Sequence, residues 1–471
     1  DIDMASTFLE VKKKFSYMET KKVPKLTFEA EQELKEKVVM DVVGPSKESL
    51  MMGYRVPNAM DKDADLVNLV DLILANSSAG LIDLNMVKAQ KCIQAYSSTM
   101  MLKERGLHYF AGSPLEGQSL EELQALFYEQ IQMLKDGEFD MELVKSIVLN
   151  QKVSKIKEYD SYRATAYSLM DAFVMNNSWS AELAKLDHML TYSKEDVLSF
   201  ANKYYKEGHI VVYKRQGEKE EALKVDKPEI TKVEVNRGEI SPFVADILGR
   251  KMQPIAPQIL DYQEEIAFGE IKGKIPVWKV KKGDDQLFSM YYVLDIGSRH
   301  DQKLALAVEY LEYLGTNEYT ADQISTEFYK LACNYGVSTG GEQSYVYLNG
   351  LASEFDEAVK LFEHLLQNAV ADEDKLKQMV AQKLKSRNDA KLNKGAIMGR
   401  LRNYALYGEE NPSTYFLSEK ELAEVSGEEL TLYIHNLSNY KHKIWYSGPL
   451  ELSELDAKLS AVHTIPSEYL P

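Results

Sequence analysis

The feature that most constrains the fold is a pattern that occurs twice. Leu50 and Leu66 recur as Phe288 and Leu304 at one shared offset, and Phe127 recurs as Phe362 at an offset only slightly smaller. Ser193, His209 and Tyr213 recur as Ser426, His442 and Tyr446, again at a single offset common to all three. An offset that drifts so little across a whole unit is what small loop deletions leave in two copies of one domain. The chain has 471 residues, more than one hydrophobic core usually supports. Two domains of roughly 200 residues each fit that length.

Each copy reads in the same way. In the first, Ser49–Val56 (SLMMGYRV) is a buried-strand pattern, a helical pattern covers Asp63–Ala75, and Cys92–Leu102 and Gly106–Ala111 read as neighbouring strands. Ser119 with Glu122 forms a capping-box signature, and the helix it opens places Leu120, Leu123, Phe127, Ile131 and Leu134 on one face. Helical patterns continue to about Lys206, and HIVVY at 209–213 closes the unit as a strand. In the second copy, Ile275–Lys281 and Leu287–Ile296 read as strands, followed by helical patterns at 301–315 and 320–334. Strands are expected at Val337–Thr339 and Ser344–Leu351, then a helix near Phe355 with Ala358, Phe362, Leu365 and Ala369 inward. More helices lead to a last strand at His442–Tyr446. Between the copies, residues 215–260 lose periodicity and carry a charge run with Pro228, Pro242, Pro254 and Pro257, the composition of an inter-domain linker.

The expected division is therefore a lead-in at 1–40, a first domain at 41–215, a linker or hinge at 216–262, a second domain at 263–450 and a tail at 451–471 leading to a following domain. The fold class is α+β, each domain a mainly antiparallel sheet packed against a layer of helices.

Composition excludes several functions. A net charge of -17 leaves nothing to neutralise phosphates, so no nucleic-acid partner is expected. No apolar run is long enough to span a bilayer, so no transmembrane helix is expected and the chain reads as soluble. Two cysteines, Cys92 and Cys333, read as buried free thiols rather than a disulfide framework. None of the eight histidines forms an i, i+4 pair, no C-x-x-C occurs, and no nucleophile elbow, P-loop or dinucleotide fingerprint is expected. The chain opens Asp1-Ile2-Asp3 with neither an initiator methionine nor an apolar signal region, from which a piece of a longer chain is expected. The compartment is not readable; an exported or periplasmic parent is one expectation.

The run GSRHDQKLALAVEYLEYLGTNEYTADQISTEFYKLACNYGVSTGGEQSYVYL in the second copy resembles the metal-binding domain of the pitrilysin and insulin-degrading-enzyme type of zinc metallopeptidases, the inverzincins, which include presequence protease. In the first copy, LMMGYRVPNAMDKDADLVNLVDLILA and RGLHYFAGSPLEGQSLEELQALFYEQIQML resemble the partner domain that follows the metal-binding one. The order, partner type before metal type, resembles the second and third domains of a four-domain member, where zinc sits in the first.

The resemblance implies specific residues. Aligned on Gly315-Thr316, the two histidines of H-x-x-E-H fall on Leu306 and Tyr310, the general base on Glu309, and the third ligand near Gln382 or Lys383. Two histidines one turn apart grip zinc while the intervening glutamate activates a bound water. Leucine cannot bind zinc and a lone tyrosine is a poor substitute, so the motif is degenerate. No catalytic residue, no metal ligand and no cofactor are expected here, with zinc held elsewhere in the parent. The substrate-holding tyrosine of the family falls on Tyr96, but its arginine falls on Ala89. The family's peptide-binding sheet edge falls on Leu107, His108, Tyr109, Phe110 and Ala111, following Arg105-Gly106, unless that strand is internal to its sheet.

Two functions follow. One is a non-catalytic central fragment of a zinc metalloendopeptidase that degrades peptides in a clam-shell chamber, contributing wall, hinge and peptide binding, with peptides and the flanking domains as partners. The other is a stand-alone inactive pseudo-peptidase that pairs with an active subunit or acts as a scaffold.

Overall fold

A computed structural model describes all residues except 1–2, 23, 25–31, 219–227, 230, 232–237, 252–253, 255, 258, 281–285 and 471. Parts of the expected lead-in and linker, and the last residue of the strand expected at Ile275–Lys281, lie outside the described residues. The chain divides into two compact units, Asp1–Lys35 and Glu36–Pro471. The small unit carries helix α1 (Met4–Lys14), whose N-terminus is capped by the Asp3 side chain accepting from Ser6 N–H at 2.7 Å.

The large unit holds two sheets. The first comprises β1 (Val38–Gly44), β2 (Ser49–Val56), β3 (Gln94–Met101), β4 (Gly106–Ser113) and β5 (Ile210–Gln216), in the order β1-β5-β2-β4-β3. Only the β1–β5 pairing is parallel. Helices α2 (Ala64–Leu74), α3 (Leu120–Asp136), α4 (Glu142–Tyr159), α5 (Tyr162–Val174), α6 (Trp179–Met189) and α7 (Lys194–Tyr204) lie within this half of the chain, with a π-helical turn at Asp83–Lys88. The linker region includes α8 (Pro242–Gly249) and the single turn α9 (Tyr262–Glu265).

The second sheet comprises β6 (Ile266–Ile271), β7 (Ile275–Val280), β8 (Leu287–Leu294), β9 (Cys333–Thr339), β10 (Ser344–Leu351) and β11 (His442–Ser447). Its order is β6-β7-β11-β8-β10-β9, and only β7–β11 is parallel. Its helices are α10 (Gln302–Tyr310), α11 (Ala321–Lys330), α12 (Phe355–Asn368), α13 (Glu373–Ala390), α14 (Lys394–Tyr407), α15 (Glu419–Glu424), α16 (Gly427–His435) and α17 (Leu452–Val462). A mixed α+β architecture of two helix-backed sheets results.

Local chemistry sets these elements. Strand β10 alternates buried and half-buried residues along its whole length, the period-2 pattern of a sheet with one face on a core. The capping box at Ser119 is present, with Glu122 N–H donating to Ser119 Oγ at 3.1 Å and Ser119 N–H to Glu122 Oε2 at 2.7 Å. Ser193 and Ser426 likewise N-cap α7 and α16, accepting from Asp196 N–H and Glu429 N–H, both at 3.2 Å. Aromatic residues anchor each core: Phe110 and Phe127 under the first sheet, Phe288, Phe355 and Phe362 under the second.

Two expected boundaries are corrected. Strand β1 starts at Val38, inside the expected lead-in, because the Val38 N–H donates to His209 O at 2.9 Å. The expected tail at 451–471 is not a free linker. Helix α17 buries Leu455 and Leu459 completely in the second core, and His463 behind it is also buried.

The helices and turns of the two halves meet through hydrogen bonds to backbone carbonyls. Asn150 Nδ2 on α4 donates to Tyr329 O at 2.7 Å, Ser325 Oγ to Ser78 O at 3.1 Å, and Lys375 Nζ to Lys88 O at 3.0 Å. Val153, Leu287 and Ala332 form a small apolar cluster at the same junction.

Candidate functional site

Helix α10 is capped by Asp301, whose side chain accepts from Lys303 N–H at 2.8 Å. Its apolar residues turn into the second core, and Leu306 is among them, buried with Leu304, Ala307 and Val308. Tyr310 is completely buried. Its hydroxyl donates to Asp372 O at 2.7 Å and accepts from Asp372 N–H at 2.6 Å, and burial raises its phenol to about 12. Glu309 points the other way, toward α13, and accepts from Lys383 Nζ at 2.7 Å. Gln382, the other residue near the third-ligand position, donates to Cys92 O at 3.3 Å.

This donor set does not fit zinc. The metal needs three or four lone pairs from neutral imidazole, thiolate or carboxylate. Here one position is aliphatic, one is a neutral phenol bonded to backbone, and the third is an amide or a cation. Among the described residues, no group of three or more His, Cys, Asp and Glu is arranged to hold a metal ion.

The peptide-edge expectation at Leu107–Ala111 is corrected. These residues belong to β4, which is hydrogen-bonded to β2 on one side and β3 on the other, so no edge is open to an added strand. His108 is fully buried, with Nδ1 2.7 Å from Tyr205 Oη and Nε2 2.9 Å from Asp71 Oδ1. Phe110 is likewise core.

Each sheet has an edge strand that reaches the same cavity, β3 in the first and β9 in the second, and among the described residues each pairs on one side only. Both line one cavity of about 660 Å³. Gln94, Tyr96 and Ser97 contribute from β3, and Asn334 and Tyr335 from β9. Tyr313 and Glu312, in the turn directly after α10, complete one wall, and Lys88 faces them from the π-helical turn. Burial holds the Lys88 ammonium below its ordinary value, opposed chiefly by the field of Glu312. Burial raises the Glu312 carboxyl, opposed by Lys88. The cavity thus presents a cation facing an anion, several tyrosine rings and two strand edges.

Tyr96 lies on the edge strand β3, its ring edge-on to Tyr109 at 6.4 Å, whereas Ala89 only ends the π-helical turn. The position of Tyr335 and β9 at a sheet edge lining the cavity escaped the sequence, since nothing local distinguishes an edge strand from a central one. Gly336–Gly340 carry the G-x-S-x-G spacing of a nucleophile elbow. Ser338 sits within β9 rather than on a strand-to-helix turn, so the spacing builds no elbow.

Family models match both halves of the chain: the peptidase M16 inactive domain over residues 3–150, and insulinase (peptidase family M16) over residues 284–414. The chain belongs to peptidase family M16. Among solved structures, this M16 chain is similar to pitrilysin, at 13% identity and a TM-score of 0.50, over 92% of this chain and 49% of that one. It is also similar to a mutant of the ferredoxin protease FusC in complex with Arabidopsis ferredoxin, at 11% identity and a TM-score of 0.47, over 100% and 56%. A peptidase M16 inactive domain from Pseudomonas fluorescens matches at 18% identity and a TM-score of 0.38, over 44% and 52%. The M16 chain spans about half the length of these structures. No curated protein matches it. Among the described residues no helix is long and apolar enough to cross a membrane.

Proposed function

We propose that this M16 chain is a non-catalytic central portion of a zinc-dependent metalloendopeptidase, supplying chamber wall, hinge and peptide binding to a clam-shell chamber. In this reading the two sheets are copies of one domain, residues 216–262 are the hinge, and zinc chemistry belongs to another part of the parent. One observation carries the reading: two strand edges, β3 and β9, line the same 660 Å³ cavity beside a metal helix that has no ligands. An extended peptide satisfies its own backbone by pairing with such an edge, while alternate side chains meet the tyrosines. The peptide-binding residues are then Tyr96 and Ser97 on β3 with Asn334 and Tyr335 on β9.

The test is fluorescence anisotropy of a labelled, unstructured peptide titrated with the full chain. Binding without cleavage is expected, weakened at least fivefold by Tyr96→Ala or Tyr335→Ala while thermal melts show both variants folded. Binding indifferent to both substitutions would overturn the proposed site.

A further inference from the structure

Another strand edge lies at the far end of the first sheet from β3. Among the described residues, strand β1 pairs with β5 on one side only. The Val38 N–H bonds His209 O, and Gly44 O accepts from Gly217 N–H at 3.0 Å. In a parallel ladder alternate residues bond the same neighbour. Even-numbered residues of β1 therefore face β5, while Val39, Asp41 and Val43 turn their N–H and C=O groups to the open side.

The composition of β1 is unusual for an open edge. VVMDVV is β-branched and apolar apart from Asp41, with no proline and no lysine, two of the devices that blunt an edge. Neither face is covered: Val39 is 45% exposed and Met40 51%. The second sheet shows what a covered version looks like. Matching His209 to His442 through β5 and β11 places Val39 where Val277 stands, Met40 at Trp278 and Asp41 at Lys279. There β7 carries an extra antiparallel strand, β6, on its backbone edge; Val277 is buried in the second core, while Trp278 on the other face stays 37% exposed.

We propose that the open edge of β1 docks one further strand, antiparallel to β1, from a partner polypeptide. The register of β6 on β7 sets its chemistry: Gly269 lies opposite Val277, Phe268 opposite Trp278 and Ala267 opposite Lys279. The partner strand accordingly places small residues across from Val39 and Asp41 and an aromatic residue across from Met40. A carboxylate across from Asp41 is disfavoured, because the Arg215 Nε that balances that charge, 2.5 Å away, belongs to a guanidinium shared with Glu121. Self-pairing of β1 centred on Asp41 would bring two carboxylates together, which argues against a second copy as the occupant. This proposal does not rest on the peptide-cavity reading.

The experiment is residue-resolved amide hydrogen exchange on the full chain, with the synthetic peptide KKIAFGEIKK as probe. In the chain alone, Val39, Asp41 and Val43 should exchange rapidly and Met40 and Val42 slowly. Saturating probe should slow the three outward amides at least tenfold. The double variant Val39→Pro with Val43→Pro spares every β5 bond, because both lost N–H groups point outward, and should abolish protection of Asp41. If its thermal melt shows unfolding, Val39→Lys with Val43→Lys provides the same readout. Slow exchange at the three amides without probe would overturn the proposal. So would absence of protection with probe, or equal protection in the edge-blocked variant.

Discussion

Lys383 Nζ lies 2.7 Å from Glu309 Oε1 and 2.5 Å from Oε2. One of the two residues near the expected third-ligand position, Gln382 or Lys383, is thus a cation paired with the glutamate at the expected general-base position. A carboxylate held by an ammonium cannot serve a zinc-bound water, and an ammonium has no lone pair for the metal. The pair is partly solvated, with side chains 27% and 51% exposed, and screening limits its contribution to about 1 kcal/mol or less. Glu309→Gln is therefore expected to shift the melting temperature by less than about 3 °C and leave peptide binding unchanged. A thermal melt and a peptide titration check this.

Tyr310 behaves differently although it is one residue away. Its hydroxyl serves both Asp372 N–H and Asp372 O at the start of α13. Tyr310→Phe should destabilise the chain by about 1–3 kcal/mol, the net worth of the two hydrogen bonds its hydroxyl makes to the Asp372 backbone. Denaturant melts of the two variants should separate clearly, Tyr310→Phe being the more damaging.

The second core also predicts acid sensitivity. His442 Nδ1 lies 2.8 Å from Tyr440 O, and its Nε2 is 3.1 Å from His463 Nε2, whose Nδ1 is 2.8 Å from Glu363 Oε1. Burial, reinforced by His463, depresses the His442 imidazole to about 4. Because the folded state binds this proton less readily than the unfolded chain, stability is complete above about pH 7 and falls as pH drops from 6.5 toward 4. The loss from this one group approaches about 3 kcal/mol below about pH 4. His442→Gln should flatten that part of the curve, and melts at stepped pH measure it.

Both cysteines are buried free thiols, and burial pushes each up to about 12. Neither should be labelled by a thiol reagent at neutral pH while the chain is folded, and both should be labelled in denaturant. Fast native labelling of Cys333, which lies at the cavity wall, would show that β9 opens there.

Much of the architecture is legible because it is local. Ser119 announces its helix by capping chemistry, and β10 announces itself by alternation over Ser344–Leu351. The neighbours of a strand are not local. GLHYFA reads as a strand, yet only the fold shows β4 between β2 and β3, with His108 tied to Asp71 and Tyr205. The same limit hid the role of β9 as an edge. Helix α17 escaped because 451–471 reads as a tail beyond the second domain, although Leu455 and Leu459 carry helical spacing. Glu309 and Lys383 stand far apart in the chain, and no local pattern encodes their partnership.

Whether this M16 chain supplies wall and binding surface rather than catalysis is tested most directly by elemental zinc analysis of the purified chain, run beside cleavage of a quenched fluorescent peptide. No stoichiometric zinc and no cleavage are expected. One zinc per chain with chelator-sensitive cleavage would contradict that role, and would mean that ligands other than Leu306, Tyr310 and Lys383 assemble a metal site.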